Sequence, residues 1–180
     1  MKIGLTGTMS VGKTTLVNAI SKLKEFKDYT CTTERSKYLN SLGIPLNQNT
    51  TIEGQTIFLA ERVTELMQEK LITDRTILDV MAFTNTARRV SIIDGEAFEE
   101  YSKRFINQYQ YIFYIPPNGI EIEDNGVRET DAKYREQIDI EISRLLVKYR
   151  PRYTVLTGTT EERITTMMKT ITFNNIPNIY

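Results

Sequence analysis

Histidine is absent from this 180-residue chain, cysteine occurs once, and neither sign of charge is in excess: Lys plus Arg and Asp plus Glu both number 23. Without imidazole there is no Ser-His triad, no histidine general base and no histidine metal ligand. The single thiol, Cys31, excludes an internal disulfide and a thiolate zinc site. A small residue in a strand is its plain reading. Zero net charge gives no overall attraction to nucleic acid or to an anionic membrane, although a local basic patch is compatible with it. No apolar run approaches the roughly 18 residues of a membrane span, and the first residues lack a secretory pattern. The expectation is a cytoplasmic protein in a reducing compartment. Repeats, low-complexity tracts and linkers are missing as well. A chain of this length then reads as one domain with room for a three-layer core.

What is present begins at Gly7. Gly7-Thr8-Met9-Ser10-Val11-Gly12-Lys13-Thr14 reads G-x-x-x-x-G-K-T, between the apolar stretch Lys2 to Thr6 and the amphipathic stretch from Thr15 through Ile20. That spacing and that context, strand before and helix after, define a phosphate-binding P-loop. The glycines let successive N–H groups turn inward on an anion, and the helix start adds the positive end of its dipole. Lys13 is placed to reach β- and γ-phosphates as a point charge, and the Thr14 hydroxyl to ligate Mg²⁺. A glycine-bearing strand-to-helix turn with a surface lysine is the bland alternative. It does not account for the whole pattern.

Strand patterns recur along the chain at 29–33, 70–75, 111–115 and 152–156. Helical patterns separate them: a short one stopped near Gly43-Ile44-Pro45, then Ile52 to Glu69, Ile77 to Arg89, and Gly95 to Asn107. Asp131 to about Tyr149 and Glu161 to Thr170 complete the set. Tyr111-Ile112-Phe113-Tyr114-Ile115 is almost wholly apolar, as expected of a strand covered on both faces, and Pro116-Pro117 ends it. Asn118 to Thr130 carries Gly119, Asp124, Asn125 and Gly126 and predicts a mobile loop. Alternating strands and helices predict an α/β fold, a parallel sheet with helices on both faces. Ligands in such sheets bind beyond the carboxyl ends of the strands. That rule gathers the P-loop, Glu34-Arg35, Asp74-Arg75, the 116–130 stretch and Gly158 on one edge.

Chemistry-bearing residues fall on that edge. Asp74 ends an apolar strand, where a carboxylate can hold a Mg²⁺-bound water or accept a proton from an attacking oxygen. Arg75 can clamp an acceptor's phosphate or orient its hydroxyl. Glu34-Arg35 repeats the arrangement on the second strand, with helix capping as the plain alternative for Glu34. The Gln55 amide can pair with a base edge through one donor and one acceptor, and Phe58 on the same helix face can stack on the base. Ordinary packing explains both residues equally well. Arg128 and Arg135 suit a lid whose cations neutralise charge on the transferred group. A solvated, charged helix start is the alternative reading there.

With these segments assembled, the chain resembles the small P-loop kinases of the nucleoside and nucleoside-monophosphate kinase superfamily. It is most similar to the compact group that includes ribosylnicotinamide kinase domains and thymidylate-kinase-like proteins. GTMSVGKTT, TTER at 32–35, the helix with Gln55, TDRTILDVMAFT at 73–84, GVRETDAKYREQID at 126–139 and LTGTTEER at 156–163 carry the likeness. It covers residues 1–171, with a lid at about 116–135 and a tail at 172–180. The resemblance implies a three-layer P-loop fold whose five-stranded parallel sheet runs 2-3-1-4-5. It implies ATP phosphates and Mg²⁺ on Lys13, Thr14 and Thr15, with adenine bordered from Gly158 onward. Arg128 and Arg135 become lid arginines, Glu34, Arg35, Asp74 and Arg75 face the acceptor, and Gln55 reads its base.

The competing P-loop classes lack their other motifs. A regulatory GTPase needs D-x-x-G and N-K-x-D, and neither occurs in the chain. A remodelling ATPase needs an apolar strand ending in Asp-Glu, whereas 111–115 ends in Pro116-Pro117. The sequence therefore predicts an ATP- and Mg²⁺-dependent kinase of a nucleoside-type small molecule, with a (deoxy)nucleoside monophosphate as the leading acceptor. A nucleoside, ribosylnicotinamide or a modified base within DNA are the alternatives, and a non-catalytic nucleotide-binding module is the more remote one. No membrane partner is expected. Oligomeric state is open, a homodimer included.

Overall fold

A computed structural model describes residues 1–33, 35–117, 119 and 131–174. Five strands, β1 (Lys2–Thr6), β2 (Thr30–Thr32), β3 (Leu71–Asp74), β4 (Tyr111–Tyr114) and β5 (Tyr153–Val155), form one sheet. Its order is β2-β3-β1-β4-β5 and every pairing is parallel. The expected order and handed alternation of strand and helix are what the structure has. β1 lies at the centre, with Leu5 opposite Asp74 on one side and Phe113 on the other. The chain leaves β1 toward β3 and later returns to β4 on the opposite flank. A crevice is thereby created at the carboxyl end of β1, where such sheets bind ligands.

Among the described residues seven α-helices surround the sheet: α1 (Lys13–Ile20), α2 (Ser36–Ser41), α3 (Ile52–Glu65), α4 (Ile77–Asn85), α5 (Ile92–Ser102), α6 (Ala132–Tyr149) and α7 (Thr160–Asn174). Side chains alternate across the strands, so each face builds its own core. Ile3, Leu5, Ile72 and Phe113 pack with Leu16, Val17 and Ile20 of α1 and Met167 of α7. Leu71, Ile112 and Tyr114 pack with Met81 of α4 and Tyr134, Ile138 and Ile142 of α6. Each fully covered aliphatic side chain in these layers stabilises the fold by about 1.5–3 kcal/mol. α4 is buried along its length from Ile77 to Thr84 because helices flank it as well as the sheet. Thr76 and Asp79 close a reciprocal capping box at its start, which holds the chain where β3 turns into α4.

Several boundaries differ from the expected ones. α4 stops at Asn85 instead of continuing to Arg89, because the chain turns back and the Arg88 N–H donates to the Gln48 carbonyl at 3.0 Å. α5 starts at Ile92 instead of Gly95, with Ser91 as N-cap accepting from the Asp94 N–H at 3.1 Å. It gives way to a tighter 3₁₀ segment over Lys103–Gln108. α3 ends at Glu65, four residues before the predicted end, as the chain turns into β3. α7 runs on through Asn174, past the expected end at Thr170, as Ile171 joins Met167 in the core. Most of the predicted lid loop and the last six residues of the tail lie outside the described residues. Among the described residues, no helix is long and apolar enough to cross a membrane.

Candidate active site

The P-loop connects β1 to α1 and needs its two glycines. Gly7 has φ 149°, and a Cβ there would sit 2.5 Å from the Ile115 carbonyl oxygen. Gly12 has φ 86° and caps α1 without any side-chain hydrogen bond, so the helix N-terminus is left to an anion. No acidic residue occupies the first turn of α1 to take that place. Lys13, 5% exposed, bends back over the loop and donates to the Gly7 and Thr8 carbonyls at 2.7 and 2.6 Å. Its ammonium thus lies inside the loop's curve. The side chain of Met9 turns the other way and lines a cleft.

The Thr14 hydroxyl donates to Oδ2 of Asp74, a residue 1% exposed at the end of β3. Two residues 60 apart in sequence therefore meet at the start of α1. A hydroxyl and a carboxylate are the hard oxygen donors that Mg²⁺ takes beside phosphates and waters, so this pair fits the ion. Among the described residues there is no cluster of three acidic or thiol side chains that would make an all-protein metal site. Next in the chain, Arg75 adopts φ 115°, a conformation that costs a residue with a side chain about 1–3 kcal/mol. Its N–H donates to Leu5 O at 3.1 Å, and its carbonyl accepts from the Thr73 hydroxyl at 3.2 Å. The guanidinium lies 4.7 Å from the centre of the Phe83 ring.

A cleft partly open to solvent lies between the P-loop, α3 and α4. Met9, Phe58, Val80 and Phe83 supply apolar wall, with Leu46 on the outer side. Gln55, Asn47, Ser36, Arg75 and Asp79 supply the polar groups, the composition of a small-molecule site. Gln55, 4% exposed, donates through Nε2 to the Thr50 hydroxyl at 2.9 Å, which fixes the plane of its amide. Gln55, Phe58 and Arg75 are therefore brought together, as the sequence led us to expect. Arg35 is not: its side chain is 54% exposed, 3.4 Å from Glu61 and stacked on Tyr38, outside the cleft lining. Glu34 and Arg128 lie outside the described residues.

Arg135, in the first turn of α6, reaches the P-loop and donates through Nε to the Thr8 hydroxyl at 3.3 Å. Asp131 places it by capping α6, accepting from the Lys133 N–H at 2.8 Å. Burial pulls the Arg135 guanidinium below its ordinary value, and Asp139 one turn later opposes that. Asp139 is itself pushed up by burial, while Tyr114 donates to it at 2.7 Å. Thr15 follows Thr14 on the exposed side of α1, and Gly158 sits in the turn before α7 with φ 80°.

Sequence reasoning passed over two buried groups that hold the loop. Asp79 accepts from the Gly7 N–H at 3.1 Å through Oδ1, and from the Thr76 N–H and hydroxyl through Oδ2 at 2.7 and 3.0 Å. Arg163 of α7 donates to the Val11 carbonyl at 2.8 Å. Thr-x-x-Asp before an apolar run was a visible capping signal, but nothing local ties that aspartate to the P-loop. Arg163 carries no sequence signal at all.

The AAA domain family model AAA_28 matches residues 2–163. No curated protein sequence matches the chain significantly. Among solved structures, NadR in complex with NR superposes with a TM-score of 0.73 at 16% identity, over 99% of this chain and 53% of that one. The chain thus spans about half the length of NadR. Deoxyadenosine kinase from M. mycoides gives 0.63 at 18% identity, covering 96% of this chain and 100% of the kinase. YorR from Bacillus subtilis gives 0.67 at 15% identity, with 97% of each chain covered. At these identities the likeness is one of fold alone.

Proposed function

We propose that this chain, which belongs to the AAA domain family AAA_28, is a kinase that transfers the γ-phosphoryl of ATP to a nucleoside. The observation that carries this reading is the junction of two sites: the cleft of Gln55, Phe58 and Phe83 is also lined by Met9 of the P-loop and by Arg75, the residue that follows the Asp74 which Thr14 meets. The neighbours support the same class, being a deoxyadenosine kinase and NadR with NR bound.

In this reading Gln55 pairs with the base edge, and Phe58 and Phe83 flank the ring. Thr14 and Asp74 would hold Mg²⁺, which would supply neutralisation of charge on the phosphates. Lys13 and the P-loop N–H groups bind those phosphates, and Arg135 meets them from the Thr8 side. The acceptor hydroxyl oxygen bonds to the γ-phosphorus while the bond from that phosphorus to the β–γ bridging oxygen breaks. The hydroxyl proton passes to Asp74, and ADP leaves with the bridging oxygen. Arg128 retains the lid role that its sequence context implies. Its removal is expected to lower kcat more than it weakens ATP binding.

A nucleoside is preferred to its monophosphate because Arg35 pairs with Glu61, leaving Arg75 as the one cation among the described cleft-lining residues. Arg75 itself favours the second reading, a nucleoside monophosphate whose phosphate it would clamp. The test is ADP release with ATP·Mg²⁺ across a panel of nucleosides, ribosylnicotinamide and nucleoside monophosphates. Turnover with nucleosides supports the first reading, and turnover confined to monophosphates replaces it with the second. ATP binding without ADP release from either class would shift the acceptor to a group in DNA, or reduce the chain to a nucleotide-binding module.

A further inference from the structure

Arg163 is a buried cation with no ionic partner among the described residues. Its side chain comes from α7, 152 residues after the loop it touches, and only 8% of the residue is exposed. Among the described residues its side chain donates one hydrogen bond, from Nη1 to the Val11 carbonyl at 2.8 Å, and its buried Nε has no partner. Among the described residues no carboxylate lies within ion-pair distance of it. Taking a guanidinium out of water is costly, and one neutral carbonyl returns only a fraction of that cost. Burial accordingly pulls the guanidinium below its ordinary value. The contact is also tight: a Cβ on Gly12 would come within 3.1 Å of Nη1, so the loop glycine is what lets the cation approach.

The chemistry of the peptide group says what this contact does. In a trans peptide the C=O and the following N–H point in opposite directions, and the chain has no cis peptide among its described residues. Holding the Val11 carbonyl on the α7 side therefore turns the Gly12 N–H to the other side. Gly12 is the N-cap of α1, and the Lys13 that follows it donates back to the Gly7 carbonyl across the loop. We infer that Arg163 is a positioning residue of the phosphate loop: it aims the Gly12 N–H at a bound polyphosphate and sets a buried positive charge behind it. The inference rests on the proposed reading of the loop as the ATP phosphate site. The ligand then supplies the counter-charge that the protein withholds. The loop is held on its other flank by Asp79, which takes the Gly7 N–H.

The test titrates the full chain with ATP and with inorganic tripolyphosphate, comparing wild type with Arg163→Met, Arg163→Gln and Arg163→Lys. ¹⁵N–¹H spectra of the unliganded proteins report folding and the Gly12 amide. Loss of a charge-assisted contact predicts tripolyphosphate binding weakened about tenfold or more in the Met and Gln variants. The Lys variant, which keeps both donor and charge, is expected within about threefold of wild type. The Gly12 amide resonance is expected to move in Arg163→Met and to stay in Arg163→Lys. Nucleoside affinity at the cleft should be unchanged throughout, which a role in packing alone would not spare. Should the Met variant fail to fold, the Gln and Lys variants carry the same comparison.

A folded Met or Gln variant that binds tripolyphosphate within twofold of wild type overturns the inference. So does a Lys variant as weak as the Met variant. Wild-type protein that binds neither ATP nor tripolyphosphate overturns the phosphate-site reading itself, a result distinguishable from either of these.

Discussion

Charge is used differently at the two ends of this molecule. On the outer face of α5 and α6, Glu99 accepts from Arg144 at 2.7 Å, Lys148 at 2.6 Å, Tyr149 at 2.7 Å and Asn85 at 2.6 Å. Arg144 also pairs with Glu141. There the acids and bases satisfy each other. At the ligand edge Lys13 and Arg163 donate hydrogen bonds to main-chain carbonyls of the P-loop, and Asp79 accepts one from a main-chain N–H. A charge held by a backbone dipole keeps most of its field for an incoming ion, whereas a charge in an ion pair does not. The first arrangement builds surface structure; the second prepares a site.

Breaking the ligand-edge arrangement should give the largest effects on function. Lys13→Ala is expected to lower turnover by about a thousandfold or more while the circular dichroism spectrum is retained. Unchanged phosphorylation would contradict the placement of phosphates in the loop. Asp79→Asn keeps size but puts an amide donor against donors, since both oxygens now accept from N–H or O–H groups. A loss of about 2–4 kcal/mol in denaturant unfolding is expected, together with weakened ATP binding. A variant as stable as wild type would show that the loop does not depend on this anchor.

The outer face should answer with stability alone. Its contacts hold the Glu99 carboxyl down at about 2, despite the opposing effect of burial. A folded-state value below the ordinary 4.5 means that Glu99 stabilises the fold above that pH. The contribution fades as pH falls toward 2. Because Arg144 and Lys148 are partly exposed, Glu99→Gln is expected to cost only about 1–2 kcal/mol at pH 7, a difference that closes toward pH 2. kcat should stay within about twofold, and a larger loss of activity would erase the contrast between the two ends. The smallest effect belongs to the cleft. Thr50→Val removes the hydroxyl that fixes the Gln55 amide and should change kcat/KM ratios between bases by about tenfold at most. Identical base preference in the variant would free Gln55 from that constraint.

The P-loop and the Asp74-Arg75 strand end were legible in the sequence, because each is written in a contiguous run of residues, whereas the strand order came only with the family resemblance. Gln55 and Phe58 were legible as a helix face. Arg35 was misplaced because nothing near it announces Glu61, a partner on another helix. Asp79 and Arg163 were hidden for a related reason. Each is locally ordinary, a capping residue and a charged helix residue, and becomes important only through contacts 72 and 152 positions away. The start of α5 was a different kind of miss. Ser91-Ile92-Ile93-Asp94 carried the capping signal, and the glycine that follows drew attention from it.

The left-handed turn at Arg75 sets stability against utility at a single position. Glycine would adopt its φ of 115° without strain, so a thermostabilising design effort would select Arg75→Gly among its first substitutions. It would gain in melting temperature and discard the guanidinium that Phe83 supports in the cleft. A sturdier protein with an emptied recognition site is the outcome to expect, and a screen scored on heat resistance alone would count it a success.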